Sequence, residues 1–253
     1  FQRKSGRISY IGVDGNIYTV DQGGNKDTAL TVDAGINSEL RSITNYGNPT
    51  WEIAGNRIAF TRTEITEQQV LTTKILISNK QGTKIREVMT SNTLRPIYMY
   101  WSPDSKYISL LSQPLGDNQF ELGLIDIDST SYQTLDQGQP FYWTWLPDST
   151  KIMTHIGGDS RKNPKARLNL QSINPTNPDT NFSNLPTSFQ SPAISPNGKS
   201  IAYVGTITGD LSNIIVQNLD GTNQITLTEV PGYAYLAYSP KNEDIAIMQS
   251  KSQ

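Results

Sequence analysis

A single histidine, His155, lies in "KIMTHIGGD", three residues past an isoleucine in a β-branched run. One imidazole can hold or move one proton. It cannot both ligate a metal and act as a base, because a metal site draws on three or four ligands. Its counterparts in the repeats described below are Ile11, Thr61, Leu111, Val204 and Met248, mostly apolar. His155 is therefore expected to be a buried or semi-buried polar side chain with one hydrogen-bond partner. "GKS" at 198–200 matches only the last positions of a phosphate loop. That motif needs a glycine where Ala193 stands and a helix where the pattern reads as strand. No Gly-x-Ser-x-Gly nucleophile elbow occurs. The chain has no Cys, which excludes disulfides, thiolate ligands and a Cys nucleophile.

Carboxylates and cations offer little more. Asp126 and Asp128 in "LIDIDST" alternate along an expected strand and so share a face. Asp14-Gly15 and Asp220-Gly221 read as turns. None gathers the oxygen density of a dedicated Ca²⁺ loop. "SRKNPKAR" puts Arg161, Lys162, Lys165 and Arg167 in one loop. By default that is a solvated loop; the sharper reading is a docking patch for an acidic partner or lipid headgroups. No residue is assigned to catalysis, to a metal or to a cofactor.

These residues sit in a repeat. "WSPDSKYISL" begins at Trp101, "WLPDSTKIMT" at Trp145, "ISPNGKSIAY" at Ile194 and "YSPKNEDIAI" at Tyr238. "WEIAGNRIAF" at Trp51 keeps the outer positions without the Ser-Pro turn, and "GRISYIG" matches only the second half. The key isoleucines Ile8, Ile58, Ile108, Ile152, Ile201 and Ile245 are spaced by 50, 50, 44, 49 and 44 residues. Each unit opens on an aromatic-rich run, reverses at a Pro-Asp/Asn-Gly/Ser turn and continues into a β-branched run. A third strand follows ("GNIYTVD", "KILISN", "ELGLIDID", "RLNLQSI", "NIIVQNLDG"), and several units add a fourth ("TALTV", "KIREVMT", "QITLTEV"). No segment shows a capped helical period. Four short strands at this period predict an all-β fold, a β-propeller of four-stranded blades. A blade cannot bury both faces alone. The second-strand isoleucines, Ile58, Ile108, Ile201 and Ile245 among them, are expected to be buried between stacked blades.

The pattern Trp-Ser-Pro-Asp-Gly-x-x-Ile-Ala-Phe, followed by "IYTVD"-like and "LT"-like strands, resembles the TolB-type propeller repeat, a WD40-like family. "SPAISPNGKSIAY", "NPTWEIAGNRIAF" and "DGNIYTVDQGGNKDTALT" carry the likeness, which extends over essentially the whole chain. It implies a propeller. It speaks weakly for function, since this repeat occurs in binding proteins and in peptidase side domains. "WEIAGNR" departs from the turn, and the Asn- and Pro-rich "NPTNPDTNFSNLP" puts the fourth strand of one unit in doubt. Six repeats are visible. Six or more blades is the favoured count, with residues 1–253 forming one domain that lacks terminal strands; a five-bladed ring with a composite closing blade is the alternative.

Aligned on the turn, Trp51, Trp101, Trp145, Ile194 and Tyr238 share one position and are expected to be core. Three residues earlier come Asn48, Tyr98, Tyr142, Ser191 and Tyr235; two earlier again come Tyr46, Pro96, Pro140, Phe189 and Tyr233. In a propeller the first strand lines the axis. A ring of tyrosines at one mouth could hold a peptide or sugar, since Tyr joins flat apolar area to a hydroxyl; the plainer reading is that such rings only plug a narrowing tunnel. The candidate partner-binding residues are Tyr98, Tyr142, Tyr235, Tyr46 and Tyr233, with Arg161 and Lys162.

The 21 basic and 23 acidic residues balance, unlike the basic face of a nucleic-acid binder. No apolar run approaches the roughly 18 residues of a membrane span. The Asn-, Ser-, Thr- and Gln-rich composition leans toward a periplasmic or cell-surface bacterial protein. The chain opens on Phe1 and "FQRKSG", which suits a stub after a missing leader or anchor as well as a trimmed chain. Membrane association is expected only through such an anchor. The expected function is a non-catalytic protein- or peptide-binding or scaffolding propeller without a cofactor. An enzyme or substrate-gating propeller of a hydrolase, and a structural subunit of a larger assembly, are the alternatives.

Overall fold

The computed structural model describes residues 6–158, 163–174, 176–182, 192–208, 211–232 and 234–249. The described residues form twenty-two strands and no helix. They fall into two compact units, Phe1–Asp136 and Gln137–Gln253.

The first unit contains three antiparallel sheets. β1 (Arg7–Ile11), β2 (Ile17–Asp21) and β3 (Thr28–Ala29) form the first. β4 (Gly35–Asn37), β5 (Ser42–Trp51), β6 (Arg57–Thr66), β7 (Leu71–Asn79) and β8 (Ile85–Ser91) form the second. β9 (Leu94–Trp101), β10 (Tyr107–Pro114), β11 (Phe120–Asp126) and β12 (Tyr132–Gly138) form the third, with the last residues of β12 beyond the unit's boundary. The second unit contains three more. β13 (Phe141–Trp145), β14 (Lys151–Ile156), β15 (Arg167–Ser172) and β16 (Thr180–Asn181) form one. β17 (Ala193–Ile194), β18 (Ser200–Thr208), β19 (Leu211–Asn218) and β20 (Ile225–Pro231) form the next, and β21 (Ala234–Tyr238) pairs with β22 (Ile245–Gln249).

The register bears out the repeat residue by residue. Trp51 faces Ile58, Trp101 faces Ile108, Trp145 faces Ile152, Ile194 faces Ile201 and Tyr238 faces Ile245 across the first two strands. In the first four of these pairs the intervening turn has one geometry. In the third sheet Ser102 N donates to Tyr107 O (2.9 Å), Ser105 N to Ser102 O (2.9 Å), and the Asp104 carboxylate accepts from Lys106 N (3.1 Å). Ser195, Asn197 and Gly198 repeat this, with Ser195 N to Ser200 O at 2.9 Å and Lys199 N to Asn197 Oδ1 at 2.8 Å. "WEIAGNR" makes the same turn without Pro or Asp: Glu52 N donates to Arg57 O (3.1 Å) and Gly55 N to Glu52 O (2.9 Å). What it needs is a residue at positive φ, and Gly55 (φ 68°), Ser105 (61°), Ser149 (63°) and Gly198 (67°) occupy that place.

Neighbouring sheets within each unit stack through alternating faces of these strands. Ile58 and Phe60 of β6 pack on Ile17 and Leu30 of the first sheet. Ala59, on the opposite face, joins Ile75, Ile77 and Val88 against Met99, Trp101, Ile108, Leu110 and Ile125 of the third. In the second unit Met153, Leu168 and Leu170 meet Ile201, Tyr203 and Ile215. Val204, Ile214 and Val230 then meet Ala234, Leu236 and Ile247. Burying one such aliphatic side chain contributes roughly 1.5–3 kcal/mol.

Several expectations need correction. Sheets of three, five and two strands accompany the four-stranded ones. Ile58, Ile108 and Ile201 are fully buried, but Ile245 is only half-buried, with no third strand beside β22 among the described residues. The doubtful fourth strand of "NPTNPDTNF" exists as the two-residue β16. Asp128 is not in a strand with Asp126. β11 ends at Asp126, whose Oδ1 accepts from the backbone N–H of Asp128 and of Ser129 (both 2.9 Å), so the two residues form a turn. Those hydrogen bonds hold the Asp126 carboxyl below its ordinary range.

Candidate functional site

Tyr98, Tyr142 and Tyr235 occupy one register position in three sheets, opposite Leu111, His155 and Met248 respectively. Their neighbours Met99 and Leu236 point at the preceding sheet of their unit. The tyrosines therefore lie on the other face of their strands. Tyr98 is half-buried and edge-on to Tyr100, ring centroids 5.8 Å apart. Tyr142 is half-buried on the face of its sheet from which Met153 meets Tyr203. Tyr235 is 57% exposed and Met248 opposite it 65% exposed, since no further described sheet covers that face. Tyr233, Arg161 and Lys162 lie outside the described residues.

Tyr46 belongs to a different constellation. It faces Arg62 across β5 and β6. Its hydroxyl donates to Asp33 Oδ1 at 2.6 Å. The Arg62 guanidinium donates to Glu64 Oε2 (2.6 Å) and Thr44 Oγ1 (3.1 Å) and lies 3.6 Å from Asp33 Oδ2. Burial, then the bond to Asp33, push the Tyr46 hydroxyl up to about 12. The Arg62 partnership holds Glu64 low. The result is a hydroxyl and two carboxylates fixed around one guanidinium.

The opposite face of the same hairpin carries an aliphatic row beside the Asn45–Thr63 pair. Ile36 pairs with Ile43, Ile43 with Ile65, and Ile65 with Leu71, making one aliphatic row across β4 to β7. Ile36 is 82%, Ile43 44% and Ile65 40% exposed. The row borders a groove of about 590 Å³ that also takes in Asn37, Arg41 and Glu67, the last two paired at 3.2 Å. Sequence reading missed both faces. The available signal was length: β5 and β6 have ten residues each, while β13, β21 and β22 have five.

His155 is fully buried, with Nε2 3.3 Å from Gly158 O. Asp14 and Asp220 serve their own turns: Asp14 accepts from Asn16 N, and Asp220 from Thr222 N and Oγ1. Among the described residues, no three His, Cys, Asp or Glu side chains cluster as a metal would require. No helix among them is long and apolar enough to cross a membrane.

No protein-family model matches the chain, and no curated protein matches its sequence. Solved structures do match its fold. TolB from Acinetobacter baumannii is 14% identical with a TM-score of 0.53, over 96% of this chain and 61% of that one. Porphyromonas gingivalis dipeptidyl peptidase 4 is 11% identical with a TM-score of 0.65, over 92% and 39%. The propeller domain of the Trilobed protease from Pyrococcus furiosus, described as having an open velcro topology, is 12% identical with a TM-score of 0.52, over 87% and 66%. The chain thus spans less than two thirds of each of these proteins. At such identities the likeness concerns fold alone, and the fold is the TolB-like β-propeller fold. Proteins with this fold include both TolB and the side domains of peptidases.

Proposed function

We propose that this chain is a non-catalytic propeller, one domain over residues 1–253, that binds a protein or peptide outside the cytoplasm. The observation that carries the reading is the exposed aliphatic row of Ile36, Ile43 and Ile65 beside an open groove. Contiguous exposed apolar surface of this kind marks interaction sites. Tyr98, Tyr142, Tyr235, Tyr46 and Tyr233 are further candidate contact residues, and Arg161 and Lys162 are candidates for steering an acidic partner. The sole histidine is enclosed in its sheet, which supports a structural role for it. The TolB-like fold and the polar composition support a periplasmic or cell-surface location.

The likeness to dipeptidyl peptidase 4 favours one rival, a substrate-gating propeller of a hydrolase. A displayed library of random peptides, selected on the folded chain, separates the two. The binding reading expects selected peptides to bind and remain intact. Tyr98→Ala with Tyr142→Ala, or Ile43→Lys with Ile65→Lys, should weaken them about 30-fold or more, the loss typical of anchoring side chains. Cleavage of the selected peptides by the purified chain, or selection of none, would refute it.

A further inference from the structure

The turn between β17 and β18 departs from its counterparts in one residue. Three residues past the large side chain that opens it, the β9–β10 turn has Asp104 and the β13–β14 turn has Asp148, but this turn has Asn197. Within the turn the amide does what the carboxylate does. Asp104 Oδ1 accepts from Ser102 Oγ (2.7 Å) and Lys106 N (3.1 Å), and Asn197 Oδ1 accepts from Ser195 Oγ and Lys199 N (both 2.8 Å). The neighbours differ. A cation lies beside the β9–β10 turn, where Arg57 Nη2 donates to Ser105 O at 2.8 Å. Beside Asn197 lies a carboxylate: Asn197 Nδ2 donates to Glu243 Oε1 of the β21–β22 turn at 2.7 Å. Glu243 stands where Lys106 and Lys199 stand in their own turns. An aspartate at 197 would face a second carboxylate, so a neutral amide suits this place.

Asn197 is followed by Gly198, the chain's single Asn-Gly pair. Such a pair can react with itself. The Gly198 nitrogen attacks Asn197 Cγ, the Cγ–Nδ2 bond breaks, and the proton from the glycine nitrogen leaves with ammonia, closing a cyclic imide. Water then opens the imide. Opening at Cγ gives aspartate; opening at the main-chain carbonyl gives isoaspartate, with the chain rerouted through the side chain. Glycine favours the attack because no Cβ hinders its nitrogen. The closed turn holds both reactants in other bonds. Gly198 N donates to Ser195 O at 2.9 Å, while the carboxamide is engaged by Ser195, Lys199 and Glu243. Asn197 and Glu243 are exposed, and surface turns open locally at small free-energy cost.

We propose that Asn197–Gly198 is a deamidation site gated by opening of its turn, and that the aspartate product uncouples the β17–β18 turn from the β21–β22 turn. The aspartate keeps the oxygen that Ser195 and Lys199 use, as Asp104 does in its own turn, so the hairpin recloses. It has no N–H for Glu243, and the two carboxylates repel each other. The isoaspartate inserts a methylene into the main chain, so that form cannot reclose the same turn. The change consumes only water and runs one way, so it accumulates with each opening of the turn. It stands independently of the binding reading.

The test follows every asparagine by peptide mapping and mass spectrometry while the full chain is held in mildly alkaline buffer, with and without urea. In urea Asn197 should be the first asparagine lost, and Gly198→Ala should slow that loss about 10-fold through its added Cβ. In the folded chain Asn197 should react roughly 10-fold or more slowly than in urea, in proportion to the open fraction of the turn. Glu243→Ala frees Nδ2 and should speed the folded reaction about 3-fold. Asn197→Asp should lower the urea midpoint. Glu243→Gln should restore it in that variant while changing the parent little, since Gln still offers an acceptor to Asn197. Earlier loss of another asparagine in urea, equal rates in the folded and unfolded chain, or a folded rate indifferent to Glu243→Ala overturns the gated site. An Asn197→Asp variant as stable as the parent, or one that Glu243→Gln fails to restore, overturns the uncoupling.

Discussion

Trp101 stands directly across from Ile108, and its indole Nε1 donates to Thr50 O of the preceding sheet at 3.0 Å. One repeat position thus does two things: it packs the isoleucine and ties two sheets together. Ile108 is fully buried in the cluster that also holds Ala59, Ile75 and Leu110. Ile108→Ala should cost on the order of 2–5 kcal/mol in urea unfolding. The aligned Ile245 is half-buried, so Ile245→Ala should cost about 1 kcal/mol or less. Equal losses at the two positions would contradict the difference in packing.

That contrast marks the reach of the sequence. Cross-strand partners were legible, because the spacing from the large apolar residue before the turn (Trp51, Trp101, Trp145, Ile194 or Tyr238) to the isoleucine after it is set locally by six intervening residues, and it holds in all five units. Burial was not, because it depends on a neighbour the repeat does not encode: Ile8 shares the motif of Ile58 yet is 54% exposed at the edge of a three-stranded sheet. The tyrosine positions were legible as equivalent. Tyr46 was not legible as a member of a charged cluster, since Asp33 reaches it from outside the repeat. The row of Ile36, Ile43 and Ile65 depends on β4, a three-residue strand too short to leave a pattern.

The shared turn gives a test free of packing. A Cβ on Gly55 would meet nothing within 4 Å, so Gly55→Ala changes only the cost of the left-handed backbone at φ 68°. That cost is roughly 1–2 kcal/mol, partly offset by glycine's larger chain entropy when unfolded. A net loss of about 1 kcal/mol is expected for Gly55→Ala, and a gain of about the same size for Ser105→Gly at φ 61°. Opposite signs at the two sites, read as shifts of the urea midpoint, would confirm that the position is set by backbone geometry. Gly123 is the control with packing included, since a Cβ there would fall 2.2 Å from the Tyr132 ring. Gly123→Ala should destabilise by about 3 kcal/mol, well beyond the turn variants.

Arg57 joins three elements. Its Nε donates to Glu52 Oε2 at 2.7 Å, its Nη2 donates to Ser105 O of the next sheet at 2.8 Å, and its guanidinium lies 5.0 Å from the Trp101 ring centroid. Glu52 is buried, whereas Arg57 remains partly exposed. Removing the arginine leaves a buried carboxylate without its cation, at a cost of about 1–3 kcal/mol. Glu52→Gln with Arg57→Ala removes the stranded charge and should recover part of that loss. A double variant as unstable as the sum of the two singles would show that the pair is uncoupled.

Tyr46 gives the chain a signature at high pH. Burial disfavours the phenolate, and the Asp33 carboxylate both accepts the phenol proton and repels the charge that would replace it; Arg62 pulls the other way without prevailing. The hydroxyl therefore titrates near 12 rather than at the ordinary 10.0. A group raised in the folded state favours folding fully below its unfolded value. That contribution is lost as pH rises from about 10 through about 12, because the unfolded chain has already released its proton while the folded one has not. The chain has 12 tyrosines, so the assignment rests on difference. Subtracting the tyrosinate absorbance titration of Tyr46→Phe from that of the parent should leave one transition near 12. Asp33→Asn keeps an acceptor but removes the charge, so the transition should move partway down toward the ordinary value, with burial holding the remainder. Arg62→Met should move it further up. A difference transition at the ordinary tyrosine value in the parent would mean that the Tyr46–Asp33 bond does not persist in solution.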